Sequence, residues 1–251
     1  LTPNGGESWA YSDTISDRQQ HLVVWDAYDD FSMDHATLSY STDSGNTWTE
    51  ITSFTYYQDE TSTDIPVSIP DNDSGGASSM ITVPSSDRDI DTLTVTLSVT
   101  HPRVSDLTLS LVHNAGEPDE VSVLLSDQNG GTGADYAGTT FDDHAYISIT
   151  EGEAPFTDTY QPEGNLSSCQ NLSPSGTWSL KVVDNVSGEE GTIDSWSLHF
   201  EFFPESHHLW EMATLEEAAS SSPAQVFPSS AARIKVDVWD ESGNHASDTS
   251  D

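Results

Sequence analysis

Basic residues are scarce in this sequence. Six Lys and Arg stand against 43 Asp and Glu, a formal net charge of −37 over 251 residues. A surface that negative repels a phosphate backbone and an anionic bilayer, which excludes nucleic acid and membrane insertion. Cysteine is nearly absent too. Cys169 stands alone, so there is no internal disulfide and no Cys/His set for structural zinc. No apolar run approaches the roughly 20 residues of a membrane span. Helical spacing is confined to Trp210–Ala219, and no G-x-S-x-G elbow, H-E-x-x-H pair or phosphate-binding glycine loop occurs. No enzyme class is indicated. Compacting this many carboxylates calls instead for a cation with oxygen ligands, calcium before magnesium.

What the sequence has is alternation. Leu93, Val95, Leu97 and Val99 recur at every second position, as do Leu107, Leu109 and Leu111, then Trp178, Leu180 and Val182, then Trp196, Leu198 and Phe200. Gly, Pro, Asn and Asp turns separate these runs, the pattern of half-buried antiparallel strands. The expected fold class is all-β, with two antiparallel β-sandwiches. Residues 1–64 hold about four strands, too few to close a two-sheet core. Residues 205–251 hold one strong strand, Ala231–Asp240. The expected solution is one discontinuous immunoglobulin-like sandwich, 1–64 with 205–251, into which residues 65–204 are inserted as a second sandwich. Trp25, Trp48 and Trp239 are expected to share the core of the outer sandwich. Ser41–Trp48 fits S-x-D-x-G-x-x-W once, which reads as a tight hairpin built on Asp43 and Gly45.

The middle segment resembles the P/Homo B domain of proprotein convertases over about residues 67 to 203. The resemblance rests on IPDN (Ile69–Asn72), TVTLSVTH (Thr94–His101), SDLTLSLV (Ser105–Val112), FDDHA (Phe141–Ala145), APFTDTYQP (Ala154–Pro162), SGTWSLKVVD (Ser175–Asp184) and GTIDSWSLHF (Gly191–Phe200). It implies a jelly-roll-like sandwich that, in convertases, steadies a neighbouring protease without taking part in its chemistry. PNGGESW (Pro3–Trp9), LSYSTDSGNTW (Leu38–Trp48) and the segment from Val238 to Asp251 resemble the immunoglobulin-like or fibronectin-type modules of bacterial secreted proteins.

Calcium is the expected cofactor. Asp71 and Asp73, with Asn72 between them and Gly75 to follow, can wrap an ion with several oxygen ligands, and Asp142 and Asp143 are expected to share it. The resemblance brings Asp184 and Asp194 to the same end of the sandwich as further candidates. A second cluster comprises Asp26, Asp29, Asp30 and Asp240 in the outer module. For the first group the alternative is turn capping by side-chain to backbone hydrogen bonds, and for the outer cluster it is a solvated loop. Asn72, Asn165 and Asn185 head glycosylation sequons. The function expected is a non-catalytic, calcium-stabilised structural or binding module of a secreted or cell-surface bacterial protein. Its expected partners are calcium ions and either neighbouring modules or further copies of itself. The alternatives are a subunit of an extracellular fibre and an accessory region of a secreted protease or other hydrolase.

Overall fold

A computed structural model describes residues 20–24, 33–41, 43–86, 88–203, 207–211, 233–240 and 242–249. The chain divides into two compact units, Leu1–Tyr56 with Pro204–Asp251, and Tyr57–Phe203. Strands β1 (Gln20–Val24), β2 (Met33–Ser41) and β3 (Thr49–Thr55) precede the inserted unit. The insert holds β4 (Tyr57–Thr61), β5 (Val67–Ile69), β6 (Ala77–Val83), β7 (Ile90–Thr100), β8 (Leu107–His113), β9 (Val121–Asp127), β10 (Tyr136–Phe141), β11 (Thr159–Tyr160), β12 (Gly176–Asp184) and β13 (Gly191–Phe202). Strands β14 (His207–Glu211), β15 (Arg233–Asp240) and β16 (His245–Thr249) follow.

The insert is a sandwich of two sheets. One runs β11-β10-β7-β13-β4, with β5 on the same edge of β13, and the other runs β6-β12-β8-β9. The period-two pattern carries directly into burial: Leu93, Val95, Leu97 and Val99 of β7, Leu107, Leu109 and Leu111 of β8, and Trp178, Leu180 and Val182 of β12 are all buried. Trp178 and Trp196 are buried to the tip, so each indole N–H needs an acceptor. Trp178 donates to the Pro174 carbonyl at 2.8 Å and Trp196 to Ser79 Oγ at 2.7 Å. Each fully buried large apolar side chain contributes about 1.5–3 kcal/mol. At Gly76, φ is +65° and a Cβ would stand 2.4 Å from the Val182 carbonyl oxygen, so only glycine fits at the head of β6 against β12.

The boundary expected at 64/65 lies instead at 56/57. Residues Tyr57–Thr61 pair with β13 from Tyr57↔Glu201 to Thr61↔Ser197, while β5 pairs with the other half of the same edge. Together β4 and β5 satisfy backbone groups that an open β13 edge would leave exposed. The chain therefore enters the insert at Tyr57 and leaves just beyond Glu201, on neighbouring strands.

In the first unit β15 pairs antiparallel with β2, from Arg233↔Ser41 to Trp239↔His35, in a sheet ordered β16-β15-β2-β3. One face buries Ala36, Leu38, Phe54, Ile234, Val236 and Val238, with Tyr56 packed among them. Trp48 and Trp239 are not among them, which corrects the shared tryptophan core. Alternation along β15 puts Ile234, Val236 and Val238 on one side and Lys235 and Trp239 on the other. There Trp239 stacks between His35 and His245 at 4.3 and 4.6 Å, and Lys235 Nζ lies 4.9 Å over Trp48. Trp25 lies outside the described residues.

The hairpin between β2 and β3 is built by Asp43. Its carboxylate accepts from the Thr47 N–H at 2.8 Å, from the Thr47 hydroxyl at 2.7 Å and from Ser41 Oγ at 2.8 Å. These bonds hold it at a pKa of about 2. Gly45 takes φ +85° against the Trp48 ring. Helical spacing at Trp210–Ala219 does not prevail at its start, because Trp210 and Glu211 pair with His21 and Gln20 of β1. Residues 212–219 lie outside the described residues.

Candidate functional site

The turn after β5 and the loop between β12 and β13 lie at one end of the sandwich. Asp71 Oδ1 accepts from the Gly188 N–H at 2.9 Å and Asp73 Oδ1 from the Gly75 N–H at 2.8 Å. Asp194 Oδ2 accepts from the Thr100 hydroxyl at 2.7 Å, and Asp184 Oδ1 from the Val186 N–H at 3.0 Å. Asp142 and Asp143 are elsewhere. They follow Phe141, which pairs with Val95, whereas Gly191 and Ile69 lie at the Thr100 end of β7. Five residues of strand separate these levels by roughly 17 Å. One ion cannot be shared across that gap, since calcium ligands stand about 2.3–2.6 Å from the metal. The local sequence made both acidic pairs resemble ligands, and only the register of β7 separates them.

Asp143 has a different task. Its two oxygens accept the Leu166 and Ser167 N–H groups at 2.9 and 2.8 Å, tying the loop after β10 to the chain 24 residues on. Asp142 Oδ1 accepts the His144 N–H at 2.8 Å. In the first unit both oxygens of Asp240 are taken by Asn244, through its N–H at 2.7 Å and its side-chain amide at 2.6 Å, and the Asn244 amide is the main cause of the lowered pKa of that carboxyl. Asp26, Asp29 and Asp30 lie outside the described residues. Among the described residues no three His, Cys, Asp or Glu side chains come together to hold a metal. The carboxylates there do not fit a calcium cage, which takes six to eight convergent oxygens; they fit the capping alternative.

Asp184 departs from this pattern because it continues the inward phase of β12 after Val182. Its Oδ2 is buried with no hydrogen-bond partner and stands 3.5 Å from His101 Nε2, likewise buried and without one. His101 Nδ1 lies 2.8 Å from the Arg103 carbonyl and 3.2 Å from the Arg103 N–H, and Nε2 faces the carboxylate. The pair joins the end of β7 to the end of β12 across the two sheets. His113 is buried as well, stacked on Trp178 at 4.1 Å. Asn72 and Asn165 are exposed, Asn72 at φ +48° in its turn. The Asn185 amide is engaged, donating to the Asp106 carbonyl at 3.0 Å and to Thr108 Oγ1 at 2.9 Å.

Two features had no local signal. On the outer face of β13, His199 sits with Nδ1 2.7 Å from Asp59 of β4 and Nε2 3.8 Å from Glu201. The carboxylates of Glu201 and then Asp59 outweigh partial burial of the ring and raise its pKa to about 9. The partner strand lies 140 residues away in sequence, so no spacing rule could find it. The other is the loop after β10, which carries Tyr146 fully into solvent. Burial, reinforced by nearby Asp143, pushes the Cys169 thiol up to about 12, which leaves it unreactive.

The insert is thus an antiparallel two-sheet sandwich with capped acidic turns and a buried His101–Asp184 pair between its sheets. Residues 90–200 match the family model described as the proprotein convertase P-domain. No curated protein matches the chain. Two solved structures of the Aeromonas sobria serine protease, one of them in complex with the chaperone ORF2, are similar to it at 19% and 20% identity. Each match covers 59% of this chain and 26% of the protease chain, with a TM-score of 0.36.

Proposed function

We propose that the chain is a non-catalytic module of a secreted or cell-surface protein, in which a P-type sandwich, carried by a second β-rich unit, binds and steadies a neighbouring protein surface. The P-domain match over residues 90–200 is the observation that carries this reading. The placement of polar groups supports it. His101, His113 and Asp184 are spent inside the sandwich, and the acidic turns hold their own backbone. The carrier and insert are joined through neighbouring strands, which suits a unit that presents a surface.

The test is to express the chain joined to its adjoining modules and also as separate pieces. The joined form should melt higher than the separate pieces, and the chain alone should turn over no peptide, ester or glycoside substrate. Turnover abolished by one substitution within these 251 residues would make the protein an enzyme and overturn the reading.

A further inference from the structure

The loop between Phe141 and Ile149 presents an apolar side chain on a rigid support. Tyr146 is 103% exposed and Ile147 44% exposed. The loop beneath them is tied at both ends. Asp142 accepts the His144 N–H on its side chain and the Ala145 N–H on its carbonyl at 3.1 Å. Asp143 is fixed to Leu166 and Ser167, and its carbonyl accepts the Gln161 side-chain amide at 3.2 Å. On the far side, the Gln161 N–H donates to the Ile147 carbonyl at 2.8 Å and the Ile149 N–H to the Gln161 carbonyl at 2.9 Å. Nothing in the folding of the loop needs the Tyr146 ring in water. A tyrosine fixed in this way carries binding energy at low entropic cost, because the loop is already ordered.

The charge around it selects the partner. Between Arg103 and Lys181 the sequence contains no Lys or Arg and twelve Asp or Glu. Asp142, Asp143, Glu151 and Glu153 lie within seven residues of Tyr146. We propose that Tyr146 and Ile147 form the anchor of a protein-docking site whose partner offers an apolar pocket rimmed by Lys and Arg. The negative field speeds encounter with such a surface and the aromatic anchor slows release. This rests on the reading of the chain as a binding module and names the surface it uses.

The probe is a phage-displayed peptide library selected on the intact chain, with the Tyr146→Ala chain as counter-selection. The exposed ring contributes nothing to the core, so both chains should melt together. Selected peptides should carry Lys or Arg flanking an aromatic or aliphatic residue and bind the Tyr146→Ala chain at least about tenfold more weakly. Their affinity should fall as salt rises. Peptides that bind both chains equally would overturn this site and leave the binding-module reading standing. Salt-independent binders without basic residues would overturn the partner chemistry. Tyr146-dependent binding to phosphatidylcholine vesicles would replace the protein partner with a lipid surface.

Discussion

His199→Gln removes the one imidazole held between two carboxylates on the outer face of β13. Glu201 and Asp59 both raise the His199 pKa; Glu201 is 28% exposed and Asp59 62%. A rise from 6.5 to about 9 would correspond to about 3.4 kcal/mol in a fully shielded pair. A third of the ring and most of Asp59 face water, so screening reduces this to roughly 1 kcal/mol. The folded pKa is raised, so the stabilisation is complete below about pH 6.5 and disappears as pH rises through the raised folded value. Urea unfolding of wild type and His199→Gln should differ by roughly 1 kcal/mol near pH 6 and by almost nothing above about pH 10. In the same protein the His199 ring protons should titrate above 6.5 by NMR, in step with the stability difference. A stability difference that stays flat from pH 6 to 10.5, or a ring titrating near 6.5, would refute the reasoning.

Four further outcomes are expected. Gly76→Ala should cost about 3 kcal/mol or more, because the added methyl meets the Val182 carbonyl at a positive φ; a loss under about 1 kcal/mol in urea unfolding would contradict the close approach. Asp143→Asn should cost about 1 kcal/mol of stability by weakening the caps on Leu166 and Ser167, read as a lowered melting temperature, with no change counting against it. Residues 57–203 should fold alone with a sharp melt and 65–203 less stably, since only the former keeps β4; equal stability would mean that the β13 edge needs no cover. Calcium and magnesium should raise the melting temperature of 57–203 equally at matched ionic strength, as counter-ions to diffuse negative charge, and a calcium-specific excess would point to a caged site.

The sandwich was legible in the sequence wherever alternation was strict, because a residue at every second position faces the core whatever its partner strand. Leu93 to Val99 and Trp178 to Val182 needed nothing non-local to be read. The same rule extended by one step places Asp184 and His101 inward, a clue stronger than their acidic or basic identity. Three readings failed where the deciding contact was distant. Asp71 and Asp142 are separated by the register of β7, Tyr57–Thr61 belongs to the insert only because β13 is there to pair with, and Trp48 and Trp239 look like core residues until the phase of β15 puts Ile234, Val236 and Val238 on the buried side. For the acidic sites, composition weighted a cation over a cap, yet a carboxylate beside a free backbone N–H has a donor already in reach and no desolvation to overcome.

The pairing of Tyr57 with Glu201 governs how tension would travel through the chain. A pull on the two termini reaches β1 and β14, and then β2 and β15, before it reaches the insert, and each of those ladders ties the N-terminal side directly to the C-terminal side. While they hold, the inserted sandwich carries no load, although more than half of the polypeptide lies within it. Once they part, force meets the insert at two strand ends side by side, where hydrogen bonds open singly from Tyr57 onward. An extension record should therefore show the outer unit yielding first, followed by a lower-force release of the insert's full contour length.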